Sequence, residues 1–321
     1  MKKYLAILVA IILIVSACAC LSACEKDEIT LYVPDGAPAL SVAKIIYDGK
    51  VGNDKVNTLI STGEDVVAKC SSGEADMAVL PTNAAVKICT SRSDYLMFSV
   101  NVYGVLYIVG TEHIDSIADL QGQTLYSIGL GNTPQYVFET ICDAQSVKYV
   151  GENAIDVQYQ TDASTIIPQI LKGSAKFALI GEPAVTQLKN KAASQGKTVE
   201  TLFDLQQLWQ QATGSEQTGY PQASMIVKKS LLTDEFATKL LAALQANGEF
   251  VNNNCDKLNG IMKGAHSSLD INYTADLLER CNLTAIPASL AISDLNTYLQ
   301  KFAALANLLP ISNDIVYEAK D

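Results

Sequence analysis

The chain has 321 residues, 49% of them apolar and 18% charged, and a formal net charge of -11. That length suggests two domains of roughly 150 residues and is ample for a buried core. The apolar content excludes a disordered or collagen-like chain, and the acidic balance argues against a nucleic-acid protein, which would present a basic face.

Much of the apolar weight sits at the start. Met1-Lys2-Lys3 precedes an unbroken apolar run from Leu5 to Val15, and small residues follow. This order reads as an export signal. No later stretch approaches the roughly 18 apolar residues that span a bilayer. The segment ends in Leu21-Ser22-Ala23-Cys24, which resembles a bacterial lipobox. In that motif the cysteine is lipidated and opens the mature chain. Val15-Ser16-Ala17-Cys18 fits the pattern more loosely, and Leu21, three positions before the cysteine, favours Cys24 as the lipidation site. Removing residues 1–23 takes Lys2 and Lys3 with it and leaves a net charge of -13 on 298 residues.

After the signal, short apolar runs alternate with helical patterns, the signature of parallel α/β sheets. Ile29–Val33 reads as a strand. Asp35-Gly36-Ala37-Pro38 turns it into a helix from Ala39 to Tyr47, with Pro38 early, where its missing N–H is harmless. Val56–Ile60 is a second strand. Ser61-Thr62-Gly63-Glu64-Asp65 opens a helix through Cys70, with Thr62 and Asp65 at capping-box spacing. Met77–Leu80 is a third strand, and Pro81-Thr82-Asn83 opens the helix after it.

The pattern then recurs. Thr124–Ile128 is a strand, Gly129–Pro134 a turn, and Gln135 to Ala144 a helix. Val157–Tyr159 is a strand, and Thr161-Asp162 caps a helix to Leu171. Phe177–Ile180 is a strand, and Gly181-Glu182-Pro183 opens the next helix. Gly73–Pro81 (GEADMAVLP) aligns loosely with Gly173–Pro183 (GSAKFALIGEP), as two similar lobes require.

Extended stretches at Val102–Gly110 and Gln222–Val227 join the halves. The polar, Gln-rich Phe203–Tyr220 holds the only tryptophan, Trp209. Leu231–Asn252, Tyr273–Cys281 and Ile292–Leu309 carry helical spacing. The expected lobes are therefore 29–105 plus 225–321, and 106–224.

In open parallel sheets ligands bind beyond the carboxyl ends of strands, where helix N-termini present free N–H groups. The residues there are small, polar or both. The candidate ligand-binding set is Asp35, Gly36, Ala37 and Pro38; Ser61 and Thr62; Thr82 and Asn83; Gly131, Asn132 and Thr133; Thr161; and Glu182, with Tyr220 beside them. Glu182 reads equally well as a first-turn residue complementing a helix dipole, and Asp35 as a turn residue. Tyr220, Tyr103 and Tyr136 read as core residues or as rings for a ligand to stack on.

The lipobox, the early Asp-Gly-Ala-Pro-Ala-Leu, Ser-Gly-Glu-Ala-Asp-Met-Ala-Val-Leu-Pro, Ile-Ala-Asp-Leu-Gln-Gly-Gln-Thr-Leu and Gly-Glu-Pro-Ala together resemble ABC-transporter substrate-binding proteins. The branch is that of nitrate, sulfonate, taurine and thiamine-pyrimidine precursors, and the resemblance covers residues 29–255. It implies a two-lobed, periplasmic-binding-protein-like α/β fold of type II, with two doubly wound mixed sheets joined by two hinge crossings. It also implies an extracytoplasmic, membrane-anchored monomer that closes on a small molecule, docks on permease subunits and needs no cofactor. The only arginines are Arg92 and Arg280, neither in an expected cleft turn. With Asp35 and Glu182 near the cleft, this leans toward a neutral, amine-bearing or heteroaromatic ligand. Anion sites of the branch often use cationic groups.

Catalytic signatures are sparse. The two histidines, His113 and His266, fall outside the expected cleft turns, and no metalloprotease, hydrolase-elbow or phosphate-loop motif is present. Gly129-Leu130-Gly131 lacks the third glycine of a dinucleotide fingerprint. An enzyme of cofactor biosynthesis on the same fold, or a sensor subunit without a transport role, is the alternative. Beyond the signal stand five cysteines with no Cys-x-x-Cys. Cys70 and Cys89 read as buried thiols, a zinc site is disfavoured, and pairing of Cys255 with Cys281 stays open.

Overall fold

The computed structural model describes residues 28–302 and 307–318. The export signal and Cys24 lie outside the described residues. The first strands and helices are β1 (Ile29–Pro34), α1 (Ala37–Leu40), α2 (Ala43–Asp48), β2 (Lys50–Val51), β3 (Asp54–Ser61), α3 (Gly63–Ser72), β4 (Met77–Pro81), α4 (Thr82–Ser91) and β5 (Tyr95–Val102). A second group runs β6 (Leu106–Gly110), β7 (Thr124–Ile128), α5 (Thr133–Ala144), β8 (Asp156–Gln160), α6 (Ala163–Lys172), β9 (Phe177–Gly181), α7 (Ala184–Ser194), β10 (Glu200–Asp204) and α8 (Leu205–Thr213). The chain then returns through β11 (Ala223–Lys228), α9 (Asp234–Gln245), α10 (Asn247–Asn253), α11 (Cys255–Gly264), α12 (Ala275–Arg280), β12 (Leu283–Pro287) and α13 (Ala288–Leu299).

The strands form two mixed sheets, as expected for a two-lobed α/β fold. One has seven strands in the order β12-β5-β11-β4-β1-β3-β2, the other five in the order β10-β6-β9-β7-β8. The internal repeat is visible in this topology. In the first sheet β1 lies parallel between β3 and β4; in the second β7 lies parallel between β8 and β9. β4 and β9 each then meet an antiparallel strand, β11 and β6. The glycines that close α3 and α6, Gly73 and Gly173, both sit in the left-handed region at φ 80° and 78°, which a Cβ would disfavour. Met77–Leu80 and Phe177–Ile180 are buried on both faces, so they read as continuous apolar runs.

Several elements depart from the sequence reading. The first helix is two, because Asn247 enters its break. The Asn247 amide donates to the Leu40 carbonyl at 2.9 Å, and its oxygen accepts from the Lys44 N–H at 2.9 Å. The Gln-rich stretch begins within the last two residues of β10 and contains α8, which Asp204 caps. Strand β12 and helix α11 were not expected. Cys70, Cys89, Cys142, Cys255 and Cys281 are all free, so the Cys255–Cys281 pairing left open is not formed. Burial pushes the Cys70 and Cys142 thiols up to about 12, which makes them poor nucleophiles.

Asp76, just before β4, ties the larger sheet together. It accepts from the Thr30 N–H at 3.0 Å and hydroxyl at 3.1 Å, and from Lys228 Nζ at 2.9 Å. Burial works to raise its carboxyl, but these donors win and hold it below its ordinary 3.8. A depressed folded pKa contributes stability above the unfolded value and loses it as pH falls through the folded one. Asp76→Ala is therefore expected to cost about 2 kcal/mol near neutral pH. Urea titrations should show that gap narrowing below the ordinary value; a gap independent of pH would sink the assignment.

Candidate functional site: a cleft between the two sheets

The turns at the carboxyl ends of β1, β3, β4, β7, β8 and β9 meet around one cleft of about 300 Å³. That is the small end of the range for metabolite pockets. The larger-sheet lobe supplies Asp35, Gly36 and Ala37, then Ser61, Thr62 and Glu64; the smaller supplies Leu130, Asn132, Thr161, Asp162, Ser164 and Glu182. Two helices begin at the cleft with side-chain caps. Thr62 Oγ1 accepts from the Asp65 N–H at 3.2 Å, and Asp162 Oδ1 from the Ser164 and Thr165 N–H groups at 2.8 and 3.2 Å.

Two of the carboxylates have partners that sequence proximity could not show. Asp35 Oδ1 accepts from the Gly36 N–H and the Ser267 hydroxyl, and Oδ2 from the Ser268 N–H and hydroxyl, all at 2.6–2.9 Å. Glu182 is almost fully buried. It accepts from Arg280 Nε at 2.9 Å and from the Thr186 N–H and hydroxyl at 2.9–3.0 Å. Glu182 follows a strand of the smaller sheet and Arg280 precedes a strand of the larger, so this pair crosses between lobes. Ser61 Oγ is fully enclosed beside the cleft and, among the described residues, has no hydrogen-bond partner.

Of the residues expected to bind ligand, Asp35, Gly36, Ala37, Ser61, Thr62, Asn132, Thr161 and Glu182 line the cleft. The others do not. Pro38 lies inside α1 and gives its carbonyl to the Ser41 hydroxyl. Thr82 is buried against Ser224. Asn83 donates to the Gly131 carbonyl at 3.1 Å and accepts from Thr133 Oγ1 at 3.3 Å, so Asn83, Gly131 and Thr133 hold the lobes to each other beside the cleft. Tyr220 is sealed behind the crossings, its hydroxyl on Gln206 and its ring parallel to Tyr298 at 5.8 Å. Tyr103 and Tyr136 also lie off the cleft, which no Phe, Tyr or Trp lines; the ring-stacking expectation is corrected accordingly.

His113 is exposed beside Glu200, but His266 does line the cleft, contrary to expectation. It arrives with Ser268 and Leu269 on the loop after α11. Only the tertiary fold brings that loop to Asp35, more than 230 positions away. Asp35, Glu64, Asp162 and Glu182 give the cleft four carboxylates, and no Lys or Arg is among its lining residues. Among the described residues no cluster of His, Cys, Asp and Glu is arranged to hold a metal, and no helix is long and apolar enough to cross a membrane.

The fold recurs in solved structures. An ABC transporter from Parabacteroides distasonis superposes with a TM-score of 0.72 at 18% identity, over 91% of this chain and 99% of that one. The periplasmic aliphatic sulphonate-binding protein SsuA of Escherichia coli gives 0.63 at 14% identity, over 92% and 93%. The periplasmic nitrate-binding protein NrtA of Synechocystis gives 0.54 at 15% identity, over 74% and 66%. No protein-family model matches the chain, and no curated protein does. At these identities the likeness shows the fold: a two-lobed α/β architecture shared with ABC-transporter binding proteins.

Proposed function

We propose that this chain is the solute-binding subunit of an ABC importer, a binding protein and not an enzyme. In this reading residues 1–23 export it and Cys24 anchors it by lipid to the outer face of a bacterial membrane. The lobes, 29–105 with 225–321 and 106–224, act as a monomer. They close on a small organic molecule and pass it to permease subunits, without a cofactor. The observation that carries the reading is the cleft between the sheets. It gathers strand ends and capped helix N-termini from both lobes.

The lining favours a neutral or amine-bearing ligand. Glu182 is matched by Arg280, but Asp35, Glu64 and Asp162 repel sulfonate or nitrate, while Pro34, Ile60, Ile128 and Leu130 offer apolar wall. A thermal-shift screen of amines, pyrimidines, sulfonates and nitrate tests both points. A binder at one hundred times its dissociation constant should stabilise the protein by about 2.7 kcal/mol. Shifts from amines or pyrimidines alone are expected. Shifts from sulfonate or nitrate would keep the receptor and overturn the ligand class; no shift from any compound would count against the receptor.

A further inference from the structure

His266 stands where a helix commonly places glycine. It follows α11 with φ 70°, in the left-handed region that disfavours a side chain and suits glycine. The cap is complete: the His266 N–H donates to the Lys263 carbonyl and the Ser267 N–H to the Met262 carbonyl, both at 3.0 Å. Helices α2, α3, α6 and α8 meet the left-handed turn at their ends with Gly49, Gly73, Gly173 and Gly214. Among the described residues the other non-glycines at positive φ are Ser146, Asn153 and Asn282, all small and polar. The cap itself does not select a ring.

The ring sits between a fixed loop and an open cleft. Ala265 and Leu269 are buried on either side of it. Between them Ser267 and Ser268 donate to Asp35. His266 lines the cleft, and among the described residues its imidazole has no hydrogen-bond or ionic partner. Most other ionisable groups of the cleft are committed. Asp35 is held by this loop, Asp162 by the N-terminus of α6, and Glu182 by Arg280 and Thr186. Only Glu64, in the first turn of α3, joins His266 in lacking a protein partner among the described residues. A carboxylate accepts hydrogen bonds only, whereas an imidazole can donate or accept.

Strained residues persist where the surrounding structure and function hold them. We propose that His266 sets the specificity of the cleft by hydrogen-bonding a second polar group on a small amine whose ammonium faces Glu64. This rests on the solute-binding reading and narrows its ligand to amines that carry a hydroxyl or similar group.

The chain has two histidines, and His113 is exposed beside Glu200, so histidine proton resonances carry their own control. The probe is 3-amino-1-propanol, with propylamine as the comparator that lacks the hydroxyl. The His266 signal, assigned with His113→Asn, should move saturably with 3-amino-1-propanol while the His113 signal stays. His266→Gly should raise the folding equilibrium constant about fivefold, since glycine adopts this φ freely. The same variant should bind 3-amino-1-propanol about tenfold more weakly by thermal shift, with propylamine little changed. A capping role alone does not produce higher stability with weaker binding. Undiminished 3-amino-1-propanol binding in His266→Gly, equal weakening for both compounds, or a variant less stable than the parent would each overturn the assignment and leave the receptor standing. If neither compound stabilises the parent while others in the thermal-shift screen do, the amine pairing falls alone; if nothing in that screen binds, the receptor reading falls with it.

Discussion

Replacing Arg280 by alanine is expected to destabilise the protein by about 2–3 kcal/mol. The reason is the asymmetry of its pair with Glu182, whose side chain is 3% exposed against 43% for Arg280. Removing one partner of a fully buried ion pair costs about 3–5 kcal/mol, because the other charge is left in a poor solvent. Here the arginine is half in water, and the Thr186 N–H and hydroxyl remain on the carboxylate, so the loss falls below that range. Adding Glu182→Gln to Arg280→Ala should recover part of it, since no charge then remains to be desolvated. A double-mutant cycle in urea separates these terms. A single variant as stable as the parent would show that the pair does not join the lobes energetically.

Gly219→Ala is expected to cost about 3 kcal/mol, the upper end for a residue forced into a sparsely populated backbone region. Gly219 has φ 97°, and a Cβ built on it falls 2.7 Å from the Tyr103 carbonyl oxygen. Gly104, at φ 80° on the opposite crossing, faces it so closely that its own Cβ would lie 3.3 Å from Gly219 Cα. The crossings thus pass each other backbone to backbone. Gly196 is the control. It has φ 68°, and a Cβ there would meet nothing within 4 Å, so alanine should cost about 1–2 kcal/mol from backbone strain alone. Melting both variants together checks the argument, and equal losses would mean that the hinge has room to spare.

The strands that read most clearly in the sequence are those buried on both faces. Met77–Leu80 and Phe177–Ile180 differ from β4 and β9 by one residue each. Their signal is a short apolar run between turn residues, which needs no tertiary information. Strand β10 and helix α8 escaped because Glu200–Gln211 mixes glutamines with isolated apolar residues, and its burial arises only against β6 and α5. β12 escaped for a similar reason: its five residues are all half-buried, so no alternation stands out.

The cleft was legible to the same extent. Turns after parallel strands announce themselves by Gly, Ser, Thr and Asp, and eight of the residues expected there do face the cavity. Nothing local, however, distinguishes a hydroxyl that faces a ligand from one that faces the other lobe. Thr82, Asn83 and Thr133 turned out to be held by protein partners instead. Ser267, Ser268, His266 and Arg280 act on Asp35, the cleft wall and Glu182 from far along the chain, and their positions carry no mark of it.

The two sheets also differ in when they can be completed. The five-stranded sheet draws every strand from the contiguous stretch Leu106–Asp204. The seven-stranded sheet places β11 between β4 and β5, so its centre stays open until residues 223–228 arrive. A chain emerging from its N-terminus must therefore hold β1–β5 with an unfilled seam while the later sheet closes first. Such pairing across long separations is slow and leaves strand edges open to wrong partners. The half of the molecule that begins the chain is the half that finishes folding last.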